Sequence, residues 1–320
     1  MASPASVPLA SSFPTEQVLG IGRTGVVILQ EQAAVKLPLR WSTSSDDQVQ
    51  ANIESLKHEQ EIYLRLEDCD GVVQLLGCSE TATRLRLMEN GDLRTYLSRN
   101  RRPSNRRQLS WFREMARTLA RIHDHRIIVV DIASRNLLLD SDLSVKFCDF
   151  TESTKLPLDA CMETADDGGY TIRTDIGQLG AVMYEVLTEQ HCEFDIFKDV
   201  PSEVSHGSWP RSEELPSTEN VWLGQIIEKC WTEGAFRNAY DLLSALESVN
   251  IDDELPKQRK ICQGSGPLKR LVSRLEGILF SPITLATLGA ILLYIWSQRR
   301  GCYLQIVVRH LFPKLSITQT

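Results

Sequence analysis

Asp131, Asn136 and Asp149 stand in one short stretch, Val129-Val-Asp-Ile-Ala-Ser-Arg-Asn136 followed by Phe147-Cys-Asp-Phe-Thr151. Asn136 lies five positions after Asp131, and Asp149 thirteen positions after Asn136. That spacing sets a carboxylate base and two hard oxygen ligands in a single cleft. A lone Asp or Asn would carry no such information. This trio, however, follows a glycine-rich loop and a lysine in an apolar strand, so the chain must fold to bring all of them together.

Composition narrows the class without identifying it. The chain has 320 residues, 42% hydrophobic and 24% charged, enough for one two-part domain with an ample core. The net charge of −7 disfavours a general nucleic-acid binder and argues for no nucleic-acid partner. Ten arginines between Arg94 and Arg126, against only Glu114 and Asp124, are expected to form a solvated helical face. Eight dispersed cysteines contain no Cys-x-x-Cys pair, which fits reduced thiols rather than a zinc site or a disulfide framework. His123-x-His125 is expected on polar surface at a helix end. Residues 1–15 are rich in Ser, Pro and Ala and are expected to be a flexible lead with no secretory signal.

Gln17 to Leu37 alternates like strands, broken by Gly20-Ile-Gly22-Arg-Thr-Gly25. Such glycines let a hairpin backbone lie over phosphates without Cβ clashes. A dinucleotide-binding loop would open a helix; here Val26-Val-Ile-Leu29 and Ala33-Ala-Val-Lys36 follow, so the loop belongs to a hairpin. Glu59 precedes Ile62 by three residues and Leu66 by seven, which turns its carboxylate toward the core side of a helix and makes it the preferred partner for Lys36, ahead of Glu61. Gly71–Leu76 and Arg84–Met88 are expected strands. Leu109, Phe112, Met115, Leu119 and Ile122 recur every three or four residues, as in a core helix. The whole set suits phosphoryl transfer, where positioning and charge neutralisation carry the rate.

From about Glu16 to Val249 these residues resemble the protein-kinase family, most closely kinase-like sequences of filamentous fungi. The resemblance implies an α+β, bilobal fold, with a small β-rich lobe over 16–88 and a larger helical lobe over 89–249. It implies ATP and Mg²⁺ as cofactors and a protein as substrate. Gly20, Gly22 and Gly25 resemble the phosphate-covering loop, and Lys36 with Glu59 the strand-lysine and helix-glutamate pair. Asp131 resembles the catalytic base; Asn136 and Asp149 resemble the metal ligands. Val27, Ala34, Leu85, Leu87 and Met88 fall where the family encloses adenine, Leu85 as gatekeeper and the last two as hinge. Asp175 resembles the aspartate opening the central helix of the larger lobe. Arg237 resembles an arginine that pairs with the glutamate closing the activation segment, here Glu163.

Three departures bear on turnover. Val129-Val130 stand where His-Arg is usual, which removes the customary partner of an activation-loop phosphate. Thr151 replaces the glycine of Asp-Phe-Gly and restricts the backbone there. Only thirteen residues lie between Asp149 and Glu163, little chain for a peptide-docking platform. Ala133 and Arg135 lean toward the tyrosine-kinase pattern without resolving the acceptor. Two expectations therefore stand side by side: an active protein kinase, or a pseudokinase scaffold that binds nucleotide and a partner protein.

Residues 278–297 suggest an anchor. Ile278 to Trp296 is uncharged, and nineteen helical residues span about 28 Å, near the ~30 Å of a bilayer core. Tyr294 and Trp296 sit at one edge, followed by Arg299 and Arg300. The expectation is a basic linker over 250–277, a transmembrane helix over 278–297 and a short tail over 298–320, with the kinase-like part facing the cytosol, where ATP is supplied.

Overall fold

The computed structural model describes residues 3–198, 200–201 and 204–250. Strands β1 (Val18–Ile21) and β2 (Gly25–Gln30) form the hairpin around the glycine loop. A two-residue turn leads to β3 (Ala33–Pro38), with Glu31 and Gln32 both at positive φ (49° and 61°), the twist a tight hairpin requires. Helix α1 (Asp46–Arg65) starts at Ser45, whose hydroxyl accepts from the Gln48 N–H while the Gln48 side chain accepts from the Ser45 N–H. Strands β4 (Leu75–Ser79) and β5 (Ala82–Arg86) complete an antiparallel sheet in the order β1-β2-β3-β5-β4. In this register Val27 lies opposite Lys36, and Ala34 opposite Leu85. Directly paired residues share a face, so these four side chains project to the same side of the sheet.

The helical part begins with α2 (Leu93–Arg99) and α3 (Asn105–Asp124). Leu109, Phe112, Met115, Leu119 and Ile122 of α3 are all fully buried, each worth about 1.5–3 kcal/mol of apolar transfer. Short strands follow: β6 (Ile127–Ile128), β7 (Leu137–Leu139), β8 (Val145–Phe147) and β9 (Thr154–Lys155), with β6 paired to β9 and β7 to β8. Helix α4 (Ile172–Thr188) is buried on nearly every side, and α5 (Gly224–Trp231) and α6 (Ala239–Glu247) pack around it and α3. One continuous core runs from Ile62 and Tyr63 of α1 through α3 to α6. The architecture is the two-part α+β arrangement expected.

Several expectations need correction. The lead packs rather than hanging free: Val7 is 1% exposed against Val49 and Ile53 of α1, and Arg40 Nη1 donates to the carbonyls of Ala5 (3.1 Å) and Val7 (2.8 Å). The strand expected over 71–76 starts only at Leu75, because Gly71 takes φ 96° where a Cβ would fall 1.9 Å from the Thr118 hydroxyl. The chain there bonds instead to β8, through Phe147 N–H to Gly71 O and Val73 N–H to Phe147 O. His123 is not on polar surface but 5% exposed, bonded to Asp175. The arginine face meets solvent as expected, but part of it also ties elements together: Arg113 caps the α6 carbonyls of Leu246 and Glu247, Arg117 meets Glu247, and Arg121 meets Asp70. Among the described residues no helix is long and apolar enough to cross a membrane. Most of the 250–277 linker, the 278–297 segment and the tail lie outside the described residues.

Candidate active site

Lys36 is delivered by β3, and Glu59 by the buried face of α1, where Leu56, Ile62 and Tyr63 fill the neighbouring positions. Their charges meet at 2.8 Å, with side chains 11% and 1% exposed. Glu61, the rival, lies on the outer face and pairs with Lys155. Lys36 Nζ also donates to Asp149 Oδ1 at 2.7 Å and to Thr151 Oγ1 at 2.8 Å. Burial works against the Lys36 ammonium, but the Glu59 and Asp149 carboxylates outweigh it and raise the pKa above the ordinary 10.5. At Glu59 burial wins over Lys36 and raises the carboxyl above 4.5. Asp149 goes the other way. Burial pushes it up, yet the Lys36 charge and the bonds from Lys36 and Thr151 hold it below 3.8.

Asp149 sits at φ 59°, which turns Phe150 inward, fully buried and edge-on to Tyr63 with ring centroids 5.2 Å apart. The Phe150 N–H donates to Glu59 Oε1 at 3.2 Å, and the Asp149 N–H donates to the Tyr63 hydroxyl at 3.3 Å. One helix, α1, therefore fixes both the lysine and the Asp149 turn.

The opposite wall is the loop from Val129 to Asn136. Arg135 Nη2 donates to both Asp131 oxygens at 2.6 and 2.7 Å, and Asn136 Nδ2 donates to Asp131 Oδ2 at 3.0 Å. Below it lies Asp175, fully buried at the start of α4. Its carboxylate accepts from the N–H groups of Val129 (2.8 Å) and Val130 (2.9 Å) and from His123 (2.9 Å). Val130 takes φ 71°, a strained conformation for a β-branched residue. Asp175 and Gln178, whose Nε2 donates to Val130 O at 2.5 Å, hold it there. Sequence reasoning missed His123 and Gln178 as supports of this loop. Gln178 stands three residues after Asp175, one turn along α4, and was a findable signal.

Both walls enclose a cleft of about 990 Å³. The residues expected to hold nucleotide, metal and the reacting hydroxyl line it: Gly20, Gly22, Gly25, Val27, Ala34, Lys36, Glu59, Leu85, Leu87, Met88, Asp131, Asn136 and Asp149. Leu138 lines it as well and was not foreseen, although its half-burial between fully buried Leu137 and Leu139 is the alternation of a strand with one face on the core. The glycine loop closes through Gly22 N–H to Gly25 O at 2.8 Å, and a Cβ on Gly25 would meet Leu37 O and Lys36 at 3.1 Å. Asn136 spends its amide protons on Asp131, which turns its Oδ1 away, and Asp149 engages Lys36 and Thr151 through Oδ1, which leaves Oδ2. Two hard oxygens plus phosphate oxygens are a donor set suited to Mg²⁺.

The segment after Asp149 is anchored to α1. His58 Nε2 bonds Ser153 O at 2.7 Å, Lys155 meets Glu61, and Arg65 donates to Leu156 O at 2.5 Å. The expected Arg237–Glu163 pairing does not form. Arg237 bonds Asp241 four residues on, at 3.3 Å, and Glu163 is exposed.

A family model described as protein tyrosine and serine/threonine kinase matches residues 14–238. The chain is 28% identical over 261 residues to the cytoplasmic tyrosine-protein kinase BMX of Mus musculus, covering 74% of this chain and 39% of that protein. It is 26% identical over 306 residues to the melanoma receptor tyrosine-protein kinase of Xiphophorus maculatus, covering 83% of this chain and 25% of that one. A probable serine/threonine-protein kinase of Dictyostelium discoideum is 25% identical over 156 residues, covering 43% and 31%. The chain thus spans less than half the length of these relatives.

Proposed function

From a chain that belongs to the protein tyrosine and serine/threonine kinase family, we propose ATP-dependent transfer of a γ-phosphoryl group to a protein hydroxyl, with Asp131 as the base. The observation that carries this is the convergence of Lys36, at 2.8 Å from Glu59 and 2.7 Å from Asp149, with Asp131 and Asn136 on one cleft of nucleotide size. The glycine loop from Gly20 to Gly25 would lie over the phosphates of a bound nucleotide, and Lys36 would orient them. Asp131, held at both oxygens by Arg135, accepts the proton of the incoming hydroxyl. Asn136 and Asp149 would hold Mg²⁺, which when bound neutralises charge on the phosphates.

The test is phosphotransfer from labelled ATP with Asp131→Ala as control. Loss of the base should lower the rate about 10²- to 10⁴-fold, with the ATP·Mg²⁺ thermal shift retained. Labelling that persists unchanged in this variant removes Asp131 from the role. A second reading, a nucleotide-binding scaffold without turnover, is favoured by Val129-Val130, Thr151 and the thirteen-residue segment after Asp149. It expects the thermal shift with no transfer in either protein. Membrane anchoring through 278–297, with the kinase part in the cytosol, belongs to the same proposal and is checked by resistance of the full-length chain to carbonate extraction.

A further inference from the structure

Resting on the nucleotide-binding reading, we infer that Thr151 is a resident competitor for the nucleotide, its hydroxyl occupying on Lys36 the place of a phosphate oxygen and thereby setting the affinity. An ammonium has three protons. Lys36 donates to Asp149 Oδ1 at 2.7 Å and to Thr151 Oγ1 at 2.8 Å, and its charge faces Glu59 Oε2 at 2.8 Å as an ion pair. The Thr151 hydroxyl proton goes to Asp149 Oδ1 at 2.7 Å, so its orientation is forced: it accepts from the lysine and donates to the carboxylate. Among the oxygens around Lys36, those of Glu59 and Asp149 belong to carboxylates and Thr151 offers the one neutral acceptor.

A phosphate that reaches Lys36 must compete with these three partners for the ammonium. Glu59 and Asp149 are charged and bond the ammonium more strongly than a hydroxyl does. Thr151 is the partner that yields. The displaced hydroxyl keeps its own donated bond to Asp149 and loses only the one it accepts from Lys36, so the cost is that of a single charge-assisted hydrogen bond. A glycine at this position has no side chain to offer, and the lysine would keep a free proton. The threonine does not occupy the left-handed region that would call for glycine; in this turn Asp149 takes the positive φ. The substitution therefore acts through its hydroxyl, not through the peptide geometry.

The experiment is calorimetric titration of the full-length chain with Mg·ADP for wild type, Thr151→Val and Thr151→Ser, with Lys36→Met as the control that lacks the ammonium. Valine keeps the shape and removes the hydroxyl; serine keeps the hydroxyl. Thr151→Val should bind about 5- to 10-fold more tightly, the scale of one hydrogen bond to a charged group withdrawn from competition, while Thr151→Ser stays within about twofold of wild type. Thr151→Ala serves as the second hydroxyl-free variant should valine prevent folding. Equal or weaker binding by the hydroxyl-free variants, with wild type binding normally, overturns the role of Thr151 alone. No binding by wild type or any variant overturns the nucleotide reading itself, and this inference with it.

Discussion

The two walls of the cleft hold their charges in opposite ways. The Lys36–Glu59 pair lies almost wholly out of water, with side chains 11% and 1% exposed, whereas Asp131 and Arg135 are 34% and 48% exposed. Both pairs are short, yet distance does not rank them. A buried charge that loses its partner has nowhere to go, while an exposed one is taken up by solvent. The lysine wall therefore couples chemistry to stability, and the Asp131 wall keeps the two nearly separate. The Asp131 loop takes its rigidity from Asp175 and Gln178 beneath it rather than from the ion pair on its surface.

The hardest test of that contrast is Lys36→Met. It leaves Glu59 buried without its cation and should destabilise the chain by about 3–5 kcal/mol in urea titration. The pH dependence carries a sign. Burial already raises Glu59 above 4.5, and removal of Lys36 lifts it further. A carboxyl raised in the folded state loses stability as pH rises past its unfolded value, so the penalty should be smaller at pH 5 than at pH 8. An equal penalty at both would mean Glu59 finds another partner.

Arg135→Ala should do the reverse. Its stability cost should stay below about 1 kcal/mol, because both partners are substantially exposed. Phosphotransfer should nevertheless fall roughly tenfold to a hundredfold as Asp131 loses its fixed orientation. A large shift in melting temperature would show that the loop depends on this pair after all.

The smallest effect concerns the thiols. Burial pushes Cys69 up to about 11 and Cys192 up to about 12. Exposed Cys161 is held below 9.0 by the Thr164 hydroxyl and the Glu163 and Thr164 N–H groups. A haloacetamide at pH 7.5 should label Cys161 first, since the thiolate is the reactive form. Earlier labelling of Cys69 would point to opening of the core near α1 and α3.

Much of the site could be read in advance where the signal was local. Glu59 was separable from Glu61 because Ile62 and Leu66 mark the buried side of α1. The hairpin around Gly20–Gly25 followed from β-rich residues on both sides. Residues whose role depends on distant partners were not legible. His123 reads as polar until Asp175, fifty-two positions on, is known to face it. Thr151 reads as a backbone restriction until Lys36, 115 residues earlier, is seen to donate to its hydroxyl. Arg237 failed for the opposite reason, since a local partner, Asp241, outcompeted the distant one expected. Val7 looked like loose chain because a single apolar residue has no periodicity to reveal a packing face.

What the sequence by itself determined is the set of elements and the chemistry each could carry: hydrophobic period, glycine spacing and turn residues act within a few positions of one another. Only the tertiary structure decided which charges share a pocket and which are shielded from water. Those outcomes depend on long-range closure of the core around Ile62, Tyr63 and Phe150, where desolvation, not residue type, sets what each group is worth.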